Sequence, residues 1–130
     1  MKDIYSVGDR KVFSRVVTEA DKAEFESGVV HPFYSTFALG RDVEWAGRLF
    51  VLDMLEDDEE GIGTFLNVKH VSPALVAQTV EIEAIILEKK GTKMSCFFEV
   101  KVGDRLIATG STGQMILKKT QVLEIEKKAR

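Results

Sequence analysis

Hydrophobic positions recur at helical spacing in one long stretch. Between residues 41 and 55, Val43, Ala46 or Gly47, Phe50 and Met54 form one stripe, and Trp45, Leu49 and Leu52 form a second beside it. A helix apolar on most sides is a buried one, and only Glu44, Arg48 and Asp53 interrupt it. The run Glu56-Asp57-Asp58-Glu59-Glu60 ends the pattern in what reads as solvent. Acidic residues at a helix C-terminus oppose its dipole, so the last turn is expected to fray.

After Gly61 the period changes to two, with Thr64, Leu66, Val68 and His70 on one face and Phe65, Asn67 and Lys69 on the other. His70 therefore points where the core residues point. Pro73 has no N–H for a ladder and restricts Ser72 before it, so the strand stops and His70 sits at its end, beside a loop.

The remaining patterns are mostly strands. Residues 11–17 are β-rich and read as a first strand at or near an edge. Thr18-Glu19-Ala20-Asp21 has the form of a capping box, which predicts a short helix stopping near Gly28. Residues 28–37 show no period and predict a loop, unusually apolar for a connection, that needs something to cover it. Residues 79–87, 92–102 and 106–117 then predict an antiparallel meander, turning at 89–91 and 103–104. In the second of these strands Met94, Cys96, Phe98 and Val100 face one way and Lys93, Ser95, Glu99 and Lys101 the other. The third carries a run of small residues from Ala108 to Gly113, where another backbone, a helix or a ligand can approach closely. The charged tail, residues 124–130, reads as a solvated end.

One long helix against a curled antiparallel sheet is an α+β architecture, the hotdog fold in outline. Such a sheet keeps an open edge, which is usually paired off, so a homodimer or a higher homo-oligomer is expected.

Composition narrows the function classes. At 130 residues the chain is expected to form a single domain over residues 1–130, with 45% hydrophobic and 30% charged residues and no linker. No apolar run reaches the roughly 20 residues that span a bilayer, and the first residues do not resemble a signal peptide, so a soluble cytoplasmic protein without a membrane partner is expected. The net charge of −3, with scattered Lys and Arg, argues against a nucleic-acid partner. One cysteine and two histidines are too poor a set for a closed zinc site, so no metal is expected. Cys96, alternating with Met94 and Phe98, reads as a small buried hydrophobe and not as a nucleophile.

The stretch from Ser35 to Val80 resembles the hotdog-fold thioesterases of the fluoroacetyl-CoA thioesterase type. The features that carry the resemblance are Thr36 before the helix, Glu44 early in it, Gly63 opening the next strand, and the run from Val68 to Val76 that contains His70. Their spacings fit without insertions. The resemblance implies a catalytic set of Thr36, Glu44 and His70, with Gly63 against the acyl group. It also implies an acyl-CoA substrate, with coenzyme A as substrate and product and no bound cofactor. The aromatic gate of the fluoroacetate-selective member has no counterpart in residues 27–30, and Phe33, Tyr34 and Phe37 lie out of register. Selectivity for a fluorinated acyl group is therefore not implied.

Each site residue also has a plainer reading. Glu44 has Arg48 one turn later, an ion pair worth a few tenths of a kcal/mol at a surface; in a partly apolar cleft the same carboxylate is a base or a nucleophile. His70 is either a satisfied core histidine or, with a carboxylate in hydrogen-bond reach, a proton carrier. Thr36 is a polar cap or a hydroxyl that orients a thioester carbonyl. Gly63 either begins a strand or presents its N–H to a carbonyl. His31, without periodic context, is read as a loop residue. The function expected is hydrolysis of a small acyl-CoA thioester, with a hotdog dehydratase or hydratase and a non-catalytic acyl-thioester-binding protein as alternatives.

Overall fold

The computed structural model describes residues 1–130. The apolar stripe forms helix α1, Thr36–Met54, which begins five residues ahead of the pattern. Ser35 explains the earlier start: its hydroxyl accepts the Ala38 N–H at 3.0 Å and so caps the first turn. Leu39, Val43, Ala46, Phe50, Val51 and Met54 bury their side chains, and Phe50 is fully enclosed. Burying a side chain of that size is worth roughly 1.5–3 kcal/mol. The helix closes cleanly, with the Leu55 N–H on the Val51 carbonyl at 3.1 Å. The acidic run therefore lies beyond the last helical turn. Nor is all of it solvated: Glu59 is buried and accepts the Glu56 N–H at 2.9 Å as the next strand begins.

Five antiparallel strands wrap this helix in the order β1-β5-β6-β7-β4. They are β1 (Arg10–Val16), β4 (Glu59–His70), β5 (Thr79–Lys90), β6 (Lys93–Val102) and β7 (Arg105–Lys118). The meander follows the sequence pattern, and Gly91 and Gly103 supply the positive φ at its turns. Met94, Cys96, Phe98 and Val100 all face the helix and are buried. The small residues of β7 have separate uses. Gly110 lies against the Asn67 carbonyl and the Phe98 ring, and Gly113 lies beneath the Phe65 ring.

Two expectations are corrected between Thr18 and Tyr34. The Asp21 carboxylate does accept the Thr18 N–H at 2.8 Å, but only a three-residue 3-10 turn, Glu19–Asp21, follows. The chain then folds as a hairpin, β2 (Lys22–Phe25) and β3 (Gly28–Tyr34), in place of the predicted helix and loop. Asp21 is 1% exposed, drawn inward by its ion pairs, and a helix continuing from it has no apolar stripe to bury. Gly28, at φ +109°, reverses the chain instead. The tail is solvated as expected, with residues 124–130 all exposed, and Lys119–Lys128 form a second helix, α2, with no buried side chain.

β4 is an edge strand, as β1 is, and its outer side is unpaired. Phe65 and Leu66 are both about half exposed there. No helix is long and apolar enough to cross a membrane.

Candidate active site

The local chemistry of β4 sets the site. Its ladder with β7 skips a residue at Thr64, pairing Gly63 with Gln114 and Phe65 with Gly113. Simple alternation places Gly63 on the face opposite His70; the extra residue at Thr64 returns Gly63 to the helix side. Leu66, Val68 and His70 keep that direction, and the Leu66 side chain meets α1 at Gly40. His70 does face inward as expected, yet it is exposed, because it lies beside the start of α1 at an open edge.

Thr36 and His70 are brought together, with Thr36 Oγ1 2.8 Å from His70 Nε2. Glu44 lies elsewhere, two turns on and about 12 Å along the helix axis. Its carboxylate packs against Gly63, where a Cβ would overlap Oε1. The four residues thus fall into two separate pairs, Thr36 with His70 and Glu44 with Gly63, and no hydrogen bond joins Glu44 to His70. The ion pair between Glu44 and Arg48 is not formed either. Arg48 binds the Glu60 carboxylate at 2.7 Å and the Gly61 carbonyl at 3.2 Å, which leaves the exposed Glu44 carboxylate without a side-chain partner.

The Thr36–His70 pair opens on a cavity of about 370 Å³ lined by His31, Phe33, Val71 and Pro73 among others. A neighbouring cleft of about 440 Å³ separates the β2–β3 hairpin from the first turn of α1. It shares His31 and Thr36 and adds the apolar surfaces of Phe25, Val30 and Phe37, the last 85% exposed.

A buried ionic network underlies this corner, and sequence reasoning missed it. Asp21 and Asp42 are 1% and 2% exposed. Arg41 bridges them, at 3.0 Å to Asp21 and 2.9 Å to Asp42. The Tyr34 hydroxyl donates to Asp42, and Arg15 approaches the same carboxylate at 3.2 Å without hydrogen-bond alignment. Burial raises the Tyr34 pKa first, and the Asp42 carboxylate adds to that shift. For Asp21 burial acts upward, but the Thr18 N–H, Arg41, the Thr18 hydroxyl and Arg15 together hold its carboxyl below the ordinary value. Through Tyr34 this network fixes the residues just before Thr36. The Tyr34 N–H donates to the Ala74 carbonyl at 2.9 Å and the Ser35 N–H to the Asp21 carbonyl at 2.8 Å. The adjacent Arg41-Asp42 pair at the head of an apolar stripe is the only trace of it in the sequence.

Comparison with known proteins places the chain in a family. Residues 17–120 match the family described as FlK, fluoroacetyl-CoA-specific thioesterase. The chain belongs to the FlK family. It is accordingly a thioester hydrolase with a hotdog fold. A thioesterase superfamily member from Thermus thermophilus, the hypothetical protein TTHA0967, shares 35% identity at a TM-score of 0.90, covering 95% of this chain and 92% of its own. The fluoroacetyl-CoA thioesterase FlK itself superposes with a TM-score of 0.88 at 20% identity, over 98% of this chain and 99% of its own. A hot-dog-like protein from Thermanaerovibrio acidaminovorans superposes at 0.87 with 14% identity, over 96% of this chain and 93% of its own. Among curated proteins, none matches.

For an FlK family member, the nucleophile question narrows on burial. Cys96 is 2% exposed, and burial pushes its thiol up to about 12, so it stays protonated at neutral pH.

Proposed function

We propose that this protein is a cytoplasmic homodimeric acyl-CoA thioesterase that hydrolyses a small acyl-CoA to the acid and CoA. The observation that carries the reading is the division of labour along α1. A hydroxyl–imidazole pair, Thr36 with His70, faces a cleft at one end, and an unpaired carboxylate, Glu44, rests on a glycine two turns away. Neither half suffices alone.

The free edge of β4 supplies the means of joining them. An antiparallel pairing of β4 with a second copy, about a twofold at Asn67, sets Leu66 opposite the partner's Val68 and, with the extra residue at Thr64 skipped, Gly63 opposite the partner's His70. Both residues face the helix side, so Glu44 then meets the partner's Thr36–His70 pair. The same pairing covers Phe65 and Leu66 at the unpaired edge.

In this arrangement Glu44 activates water or attacks the thioester carbonyl itself. His70 Nε2 engages Thr36 Oγ1, and the hydroxyl hydrogen is left for the carbonyl oxygen on which negative charge develops. Collapse of the tetrahedral intermediate breaks the C–S bond and releases the CoA thiolate; where Glu44 is the attacking group, water then hydrolyses the mixed anhydride, freeing the acid and the carboxylate. A thiol of pKa about 8.5 leaves with little acid help, so one carboxylate and one histidine are enough. The apolar side of the cleft beside Thr36, with Val30 and Phe37, suits a short acyl chain, and Lys22, Glu24 and Arg41 line its polar side. Dehydration of a hydroxyacyl thioester gives Thr36 no task, which favours hydrolysis.

The test is thiol release from a series of short acyl-CoAs, followed with a thiol reagent. The parent is expected to turn over, and Glu44→Gln, which keeps shape and removes charge, to lose about 10²–10⁴ in kcat while still binding acyl-CoA. Parent-like turnover by Glu44→Gln removes Glu44 from the mechanism.

A further inference from the structure

We infer that His31 is a substrate-binding residue of this site, donating a hydrogen bond from Nε2–H to a carbonyl oxygen of the bound acyl-CoA chain; this rests on the acyl-CoA reading above.

Three observations converge on it. First, His31 lines both clefts that meet at Thr36, the one it shares with His70 and the one beneath the hairpin. No other ionisable side chain lines both. Second, its tautomer is set locally. The Phe33 backbone N–H donates to His31 Nδ1 at 3.2 Å, so Nδ1 carries a lone pair and the neutral ring holds its hydrogen on Nε2. Nε2 has no protein partner, so a donor is left over at a cleft wall. Third, the backbone there departs from a regular ladder. β2 and β3 pair Ala23 with His31 but Lys22 with Tyr34, so Pro32 and Phe33 are extra residues on β3. Pro32 has no N–H to give a ladder, and such a bulge re-aims the side chain beside it. The Phe33 ring, 5.2 Å from the imidazole and tilted by 30°, supports the ring from one side.

The chemistry selects the ligand group. A fixed neutral N–H with no acceptor of its own suits an uncharged oxygen, and an acyl-CoA presents two kinds. One is the thioester carbonyl; the other is the amide carbonyls of the pantetheine arm a few bonds away. Phosphates prefer a cation, and protonating His31 at Nδ1 sacrifices the bond from Phe33.

Two amide substitutions separate this role from a structural one. In His31→Asn the side-chain oxygen can still accept the Phe33 N–H, but nothing reaches as far as Nε2. In His31→Gln the terminal amide restores a donor near the Nε2 position. Dissociation constants are measured by calorimetry for free CoA, which carries only the amides, and for the dethia analogue of acetyl-CoA, in which a methylene replaces the thioester sulfur and leaves a non-hydrolysable ketone in the place of the thioester carbonyl. The expected result is about tenfold weaker binding for His31→Asn and recovery to within about threefold of the parent for His31→Gln, with melting temperatures unchanged. Loss with both ligands assigns the contact to the arm, and loss with the ketone alone assigns it to the thioester. The proposal is overturned if His31→Asn binds both ligands as the parent does, or if His31→Gln is as weak as His31→Asn. Because binding is read without turnover, an inactive parent sinks the thioesterase reading and leaves this measurement to decide His31 by itself.

Discussion

At the scale of single residues, Gly63 is informative because what it lacks determines where Glu44 sits. A Cβ at Gly63 would overlap the Glu44 carboxylate oxygen, which is the mobile end of a flexible side chain and can swing away. Gly110 is different, since the atom in the way there is the fixed Asn67 carbonyl. Gly63→Ala is therefore expected to fold with stability changed by no more than about 1 kcal/mol while kcat falls about 10- to 100-fold, the signature of a displaced base. Thermal melts and steady-state kinetics on the same preparation check it, and a large loss of Tm with residual kcat intact would make Gly63 a packing residue only. Residue types and spacings were legible in the sequence to this extent: Thr36, Glu44, Gly63 and His70 all lie at the cleft or at the helix–strand seam. Their pairing was not legible. Glu44 was expected beside His70, and within one chain His70 meets Thr36, because the Thr64 bulge and the crossing of α1 over β4 are products of packing that no local period encodes.

At the scale of elements, long periodic segments read well and short ones badly. The 19-residue helix and the meander keep their periods over many residues, so local preference and burial agree. The β2–β3 hairpin has a four-residue arm and a proline in the other, and its place is dictated by Asp21, whose partner Arg41 lies 20 positions away. Helix α2 buries nothing and so leaves no apolar stripe to read. The Asp21 network makes this corner sensitive to acid. Its folded carboxyl lies below the unfolded value of about 3.9. The stability it contributes is thus complete above that value and is lost as pH falls through the folded one. Asp21→Asn removes one charge from a buried set that retains Arg15 and Arg41, which is expected to cost about 3 kcal/mol at pH 7, on the order of 10 °C in Tm. The variant's melting temperature should also decline less steeply than the parent's as the pH is lowered below the ordinary aspartate range, measured by circular dichroism. Parallel declines would mean that other carboxylates govern the acid limb.

At the scale of the whole molecule, the separation of Glu44 from the Thr36–His70 pair allows an experimental distinction between a site within one chain and a site shared by two. Consider Glu44→Gln and His70→Ala, each inactive as a homodimer. If every site takes Glu44 from one subunit and His70 from the other, a mixed dimer holds one site with both substitutions and one with neither. Random reassociation of equal amounts yields mixed dimers as half of the population, each with one working site of two, so about a quarter of parent activity returns. If each chain carries its own complete site, every site in the mixture keeps one substitution and no activity returns. The two variants are unfolded together, refolded together and assayed for thiol release, with each refolded alone as the control. Sedimentation of the refolded mixture establishes that dimers are present, and a 14.5 kDa monomer at micromolar concentration would remove the twofold altogether. Recovery near one quarter, absent from both controls, is the expected outcome of the proposed twofold, in which pairing along the free edge of β4 sets the partner's Thr36–His70 pair against Glu44.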